Sequence, residues 1–554
     1  MAAVGRGLWP YLVIVAGALL VWTPTLFFAQ AGESFGYDLN WSEQFSRLFG
    51  AGALYPRWTP ASFAGLGSPT FYFYPPLAFW VTALIAKAGG AALTATLALK
   101  LAVLFFFVTS GLGMYQWLRL SAATGRAVLG ALLFMAAPYH LDDTYIRGAF
   151  AEFAAIAVLP ILALGLARTA KSDRSGPLWL AAGWAAMLFA HLPIALLAGV
   201  LLVAPYGLWL AWRTPPSGRL AYIARSGAAL ALGTGLAAIY LIPALQLQDA
   251  ISADYWWSAK FHAADRLFAN PKSWSMPLEP FLAGLSIAEA LIALAVAWGA
   301  WRSGDRAATF WAGVVIGVFL VVAGLVPGFW SLPLMAKVQF PWRALTVQEF
   351  ALATLLALAA PRVKLGLPLV LFAALLTANL ASVGEAIAQW KPNAQFARPG
   401  YGVTTFPTIV DAPEYLPNGM LRLEADGPAP ALNLLDLARA PLASGAGVVA
   451  GADAQGIAVH VRLAPGPGRQ IILRRFYFPS WRAACDGRLA PVRPATPARF
   501  VALSAPAGVS ACDISLGETP QERVGQLASL VSLAAIAAYG LWAVGPLRRR
   551  PRLT

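Results

Sequence analysis

Charge is scarce in this chain. Only 12% of its 554 residues are Asp, Glu, Lys or Arg, where an ordinary soluble domain carries about a quarter. That shortage excludes a water-soluble globular protein of this size. Cysteine is scarcer still, with Cys485 and Cys512 the only two, both late in the sequence. No Cys/His cluster has zinc spacing. No basic stripe with interleaved aromatics runs along a soluble segment. The net charge of +15 therefore does not point to nucleic acid. No internal sequence repeat is present.

What is abundant is apolar sequence. Hydrophobic residues make up 59% of the chain and the mean hydropathy is +0.64. The excess falls in runs of roughly 18–25 residues, the length that crosses ~30 Å of hydrocarbon. The chain reads as an integral membrane protein whose obligate partner is the lipid bilayer. Its first run, from Trp9 to about Phe28, is longer than a signal-peptide core and has no small-x-small cleavage motif before Asp38. It reads as a retained helix.

Lys and Arg cluster in short connections, at 168–174, 213–225, 302–306, 362–364 and the tail 548–552. By the positive-inside rule these face the cytoplasm. The topology that follows has spans at about 9–29, 76–90, 93–117, 150–168, 177–190, 192–212, 224–245, 281–301, 308–328, 345–361, 364–384 and 524–546, roughly 12 in all. The run Val128–Ala137 is too short to cross and reads as a half-span or re-entrant piece. Residues 1–384 thus form a multi-span domain with outer loops 30–75, 139–149 and 246–280, and residues 524–554 a last helix with a basic tail.

Between them, residues 385–523 change character. Hydropathy falls, Pro and Gly become frequent, and β-prone runs such as Ile457–Leu463 alternate with hairpin signals at Gly466-Pro-Gly468 and Cys485-Asp-Gly487. The expectation is a small extracytoplasmic β-rich domain, a sandwich in type. A Cys485–Cys512 disulfide is allowed in that compartment, with two buried free thiols as the alternative.

The few remaining charges gather on the outer face. Asp38 and Glu43 lie in the first outer loop. Asp142, Asp143, Arg147 and Glu152 crowd the entry to one helix, Arg343 closes Gln339-Phe-Pro-Trp-Arg343, and Asp254, Lys260, His262, Asp265 and Arg266 share another loop. An acid at a membrane boundary is costly unless it faces water, a metal or a partner. Carboxylates from separate loops beside arginines suit a phosphate-linked substrate. One carboxylate deprotonates an attacking hydroxyl or helps hold a hard cation, while guanidinium forks hold the phosphate leaving group.

On that reading Asp38, Asp142 and Asp143 are catalytic, and Arg57, Tyr74, Arg147, Glu152, His191 and Arg343 bind substrate. Each has a plainer reading. Asp142 and Asp143 suit a helix N-cap or a solvated loop, Arg147 and Glu152 a mutually neutralising pair, Arg343 a snorkelling interfacial residue, His191 a hairpin position, and Asp38 a structural acid. Their shared face is what favours chemistry.

Several motifs carry a family resemblance. Tyr55-Pro-Arg-Trp, Gly65-Leu-Gly-Ser-Pro69, Phe73-Tyr-Pro-Pro76, Asp143-Thr-Tyr-Ile-Arg-Gly-Ala-Phe-Ala-Glu152, Ala190-His-Leu-Pro193, Phe340-Pro-Trp-Arg343 and Pro413-Glu-Tyr-Leu-Pro417 resemble bacterial membrane proteins called 6-pyruvoyl-tetrahydropterin synthase-related, a name that implies no pterin chemistry. Tyr477-Phe-Pro-Ser-Trp481 and Asp486-Gly487 resemble the outer domain of the large YfhO-type membrane proteins. Such proteins in turn resemble polytopic glycosyltransferases of the GT-C superfamily, which take sugars from lipid phosphates and carry an acid in the first outer loop and often another in a later one. The resemblance implies Asp38 as the first acid and Asp142 or Asp143 as the second. The first loop lacks an adjacent acidic pair, so it implies transfer with no cofactor, a divalent metal being the alternative.

The expected function is transfer of a glycosyl group from a polyprenyl-phosphate donor to an envelope lipid, polysaccharide or protein acceptor, outside a bacterial plasma membrane. The rivals are a transporter or flippase of envelope precursors, which needs ionisable residues in mid-span and paired broken helices, hinted at only by Lys100 and the short pieces near Ala137 and His191, and a non-catalytic envelope assembly protein.

Overall fold

The computed structural model describes residues 2–27, 34–258, 262–275, 278–359, 411–424, 427–445 and 447–544, with isolated positions between 370 and 384. The expected span 364–384, Lys260 and the tail arginines lie outside the described residues or almost wholly so. Short turns aside, the helices are α1 (Ala2–Trp22), α2 (Phe35–Gly50), α3 (Leu77–Gly89), α4 (Ala95–Leu118), α5 (Thr124–Met135), α6 (Pro138–Tyr145), α7 (Phe150–Ala170), α8 (Gly176–Ala190), α9 (Leu192–Arg213, with a π-helical turn at Gly199–Val203), α10 (Pro216–Leu236), α11 (Ala238–Gln246), α12 (Leu278–Ser303), α13 (Arg306–Ala323), α14 (Leu345–Leu358) and α15 (Pro520–Val544). Among the described residues seven helices are long and apolar enough to cross a membrane, eight if α10 and α11, bent by 65°, count as one span.

The bend has a local remedy. The helix breaks at Ala237, and the carbonyls freed at Gly235 and Leu236 both accept from the Ser529 hydroxyl of α15, at 3.2 and 2.8 Å, while the Ile239 N–H donates back to it at 2.8 Å. Pro243, inside α11, leaves the Ile239 carbonyl without a helical donor, and that carbonyl accepts from Arg57 at 2.7 Å. A kinked backbone is tolerated in lipid only where a neighbour satisfies it.

The helices share two ends. At one, Lys171 donates to the Leu120 carbonyl at 2.8 Å, Tyr539 to the Arg174 carbonyl at 3.1 Å, and Arg126 to the Ala359 carbonyl. These contacts gather the basic connections. At the other end lie Asp38, α6 and Arg343. This direction corrects two expectations. The segment expected to span at 76–90 is a 13-residue helix, α3, packed beside α2. It does not cross, because α4, which follows it, starts beside the Asp38 end of α1, where the Trp22 indole donates to the Lys100 carbonyl at 2.7 Å. The expected half-span is α5, whose 12 residues return the chain from the basic end to the acidic one.

The β-rich domain has two antiparallel sheets beside a short hairpin, β1 (Leu421–Glu424) with β2 (Gly427–Pro430). β3 (Ala443–Ser444), β6 (Arg469–Phe476), β10 (Phe500–Ala505) and β9 (Val492–Ala495) form the first sheet in that order. β4 (Val448–Ala452), β5 (Ala458–Leu463), β11 (Ala511–Leu516), β7 (Trp481–Cys485) and β8 (Arg488–Ala490) form the second. Alternation buries one face of β5, with Val459, Val461 and Leu463 inward. Cys485 and Cys512 are direct cross-strand partners on β7 and β11 and are joined in a disulfide.

This domain docks on the first loop rather than on the helices alone. Trp58 packs edge-on against Trp481 with ring centroids 5.6 Å apart, Phe63 meets Phe476, and the Phe476 N–H donates to the Leu66 carbonyl at 2.8 Å. The Gly65-Leu-Gly-Ser-Pro69 stretch has a backbone reason to be there. Gly67 has φ +85°, and a Cβ on it would stand 2.4 Å from the Trp58 ring. Gly67→Val is therefore expected to loosen the dock at a cost of about 1–3 kcal/mol, read as faster proteolytic release of the β-rich domain. Unchanged release would show the contact to be dispensable.

Candidate functional site

The site grows from the N-terminal end of α7. The four leading N–H groups of a helix lack intrahelical partners and attract negative charge. Here the Phe150 N–H donates to Asp38 Oδ2 at 3.2 Å, and the Ser34 N–H donates to the Arg147 carbonyl at 3.2 Å, which brings the start of α2 against the turn before α7. Asp38 is fully buried and its Oδ1 has no hydrogen-bond partner among the described residues. Burial pushes its carboxyl well above the usual carboxylate range, with the single Phe150 N–H opposing.

Asp143 comes to the same place from α6. Asp38 and Asp143 both line a cavity of about 20 Å³, closed in by Leu99, Val103, Phe150 and Phe153, room for a single water molecule. Burial raises the Asp143 carboxyl, Glu152 adds to the rise, and Arg147 opposes it.

One step further lies an ion cluster centred on Glu152. Arg147 reaches Oε1 at 3.0 Å and also pairs with Asp143, and Arg343 Nε reaches Oε2 at 3.0 Å. Tyr139 donates to Oε1 at 2.6 Å while accepting from Arg147 at 2.8 Å. The expected mutual neutralisation of Arg147 and Glu152 is present and is shared with Arg343. Arg343 is not a snorkelling residue: it is buried, and its second branch donates to the Val338 carbonyl at 2.9 Å.

His191 caps α9, accepting weakly from the Ile194 N–H at 3.4 Å, and sits within electrostatic range of Glu152, Arg343 and Arg147. Tyr74 joins from the first loop. Its half-buried ring lies 4.6 Å from that of Trp41, in range of the charges on Asp38, Arg343 and Glu152.

Not every expected residue arrives. Arg57 binds elsewhere, pairing with Glu522 of α15 at 3.1 Å and donating to the Ile239 carbonyl at 2.7 Å. It fastens the last helix to the first loop. Asp142 is buried beside Asp143, but its charge is felt by Glu349 on α14. The loop 246–280 is apart as well: Arg266 pairs with Glu279 at 2.6 Å, and Asp265 with exposed Lys272 at 3.1 Å.

Other acids take part without having been singled out. Glu349 accepts the Tyr139 and His140 N–H groups and so caps α6, the helix that carries Asp142 and Asp143. Glu289 of α12 approaches Glu349 and Gln348 and is fully buried. Both acids stand inside apolar runs, and that was the readable signal. Asp411 is a latch, accepting from Trp41 at 2.7 Å and Thr70 at 2.9 Å.

Three residues on, Glu414 is half-buried beside Trp256. Burial lifts its carboxyl from 4.5 to about 7, opposed by its own N–H and the Trp256 indole and reinforced by Asp411. Protonated Glu414 thus contributes stability that is complete below about 4.5 and is lost as pH rises through about 7. Glu414→Gln is expected to raise the thermal midpoint at pH 8 and change it little at pH 4. Equal shifts at both would sink the assignment.

Among the described residues no group of three or more His, Cys, Asp or Glu is placed to hold a metal. What the arrangement offers is a pair of buried carboxyls at one small cavity, with two arginines and a tyrosine beside it. A buried carboxyl held above its usual range loses its proton more readily once water reaches it, and the carboxylate so formed can act as a base.

The family described as 6-pyruvoyl-tetrahydropterin synthase related domain, a membrane protein, matches residues 71–392, more than half of the chain. The match takes in Tyr74, α3 to α14 and the Glu152 cluster. Asp38, Arg57 and the β-rich domain lie outside it. None of the curated proteins matches the chain.

Proposed function

Since the chain belongs to the 6-pyruvoyl-tetrahydropterin synthase-related family of membrane proteins, we propose that it is a membrane glycosyltransferase moving a sugar from a polyprenyl-phosphate donor to an extracytoplasmic acceptor. The observation that carries this reading is convergence. Asp38 from the first loop and Asp143 from α6 line one cavity, and Arg147 and Arg343 lie next to it. Asp38 is the general base for the acceptor hydroxyl and Asp143 orients it. Glu152 engages one nitrogen of each arginine, and a guanidinium carries five N–H donors, so the same two arginines serve the donor phosphate.

Orientation rests on two supports. The basic connections lie at the end away from Asp38, which by the positive-inside rule is cytoplasmic, and the Cys485–Cys512 disulfide suits an oxidising exterior. The membrane is then the bacterial plasma membrane.

Lipid analysis of cells lacking the protein tests the reading. Accumulation of one polyprenyl-phosphate sugar, together with an envelope glycan short by one residue, is the expected result. Unchanged pools overturn it. Glu289 and Glu349, buried within the apolar helices, favour a second reading as a proton-coupled transporter. Protein-dependent proton flux in sealed liposomes would move that reading ahead.

A further inference from the structure

A second, larger cavity has none of the site's carboxyls in its lining. A groove of about 910 Å³ runs between α9 and α13. Its floor is made by what α13 lacks: Gly313 and Gly317 are four apart, hence on one face of the helix, and a Cβ on either would meet nothing within 4 Å. Val314 and Val318 flank them. One end of the groove is at the basic connections. Arg306 and the exposed Trp212 and Trp301 form its mouth there. Arg213 lies over Trp209 at 5.4 Å and Arg302 over Trp298 at 4.8 Å close by. Asp305 is the acid at this mouth, and its carboxylate caps α13 through the Ala308 N–H at 3.1 Å.

We propose that this groove binds an anionic phospholipid, with an acyl chain along Gly313 and Gly317 and the phosphate at Arg306. Arg306 at a tryptophan-rimmed mouth, with Arg213 stacked on the lining Trp209, complements a phosphate diester at the headgroup level. From Arg306 to Val321, both of which line the groove, the helix rises roughly 22 Å, so an acyl chain entering at Arg306 has room to run past the middle of a ~30 Å core. A phospholipid of the basic-end leaflet fits that depth. A polyprenyl phosphate with its phosphate at the Asp38 end would enter from the opposite leaflet.

Native mass spectrometry of the full-length protein tests this with phosphatidylglycerol, phosphatidylcholine of the same chains and a polyprenyl phosphate, each added separately and then in competition. Phosphatidylglycerol should be retained over phosphatidylcholine, and Arg306→Gln should cut that preference roughly five-fold. Gly317→Leu, which fills the groove, should lose retained lipid of either headgroup at an unchanged thermal midpoint. Equal retention of both phospholipids, an unaltered preference in Arg306→Gln, or displacement of phosphatidylglycerol by the polyprenyl phosphate would each overturn the proposal.

Discussion

Asp38→Asn is expected to cut sugar transfer by about 10²–10⁴-fold while the protein folds as well as the wild type or better. The two effects separate for a physical reason. Asparagine keeps the shape and an oxygen for the Phe150 N–H, so α7 keeps its partner. It removes a group that burial disfavours as an anion. Because Asp38 is raised above its ordinary 3.8, its folded-state contribution is complete below that value and is lost as pH rises through the raised pKa. The variant carries no such loss, so its advantage in thermal midpoint should grow as pH rises above the ordinary carboxylate range. Wild-type transfer should climb in the same direction as the base becomes available. If activity and midpoint fall together in Asp38→Asn, the acid is structural and the assigned base is wrong.

Glu152→Gln should do the opposite, damaging the fold first. Its carboxylate is the shared counter-charge of Arg147 and Arg343 and the acceptor for Tyr139. Removing one partner of a buried ionic group typically costs about 3–5 kcal/mol, since the remaining charges stay buried without compensation. Against a total stability of about 5–15 kcal/mol, that loss should show as poor membrane yield and a sharply lower midpoint in detergent. Glu152→Gln combined with Arg343→Gln should recover part of it, because one orphaned guanidinium leaves with its counter-charge. A double variant no better than the additive sum would show that Arg343 and Glu152 are not coupled.

The helical architecture was legible because apolar runs announce themselves, and the β-rich domain because strand alternation and hairpin glycines do. Length misled where two short segments competed. Residues 76–90 are as apolar as a span, yet the returning segment is α5, and only packing against α4 and α14 decides between them. The candidate site was partly legible. Asp38, Asp143, Arg147, Glu152, His191 and Arg343 converge as their shared face suggested, while Arg57 answers to Glu522, a partner 465 positions away (522 − 57) that no local pattern could reveal. Glu289 and Glu349 are each a single acid within an apolar helix, a signal that an averaged hydropathy dilutes and that only a residue-by-residue reading picks out.

The first loop ties the two halves of the molecule together in a way that bears on access. Asp38 has no exposed surface, so no reactant touches it in this state. Three residues along the same helix, Trp41 is held by Asp411, and residues 58 to 66 grip the β-rich domain through Trp481, Phe476 and the backbone. Uncovering the carboxyl therefore means breaking the Asp411 latch or tilting α2, and either motion pulls on the outer domain. A change at Gly67, remote from Asp38, is therefore expected to reach the carboxyl through this loop.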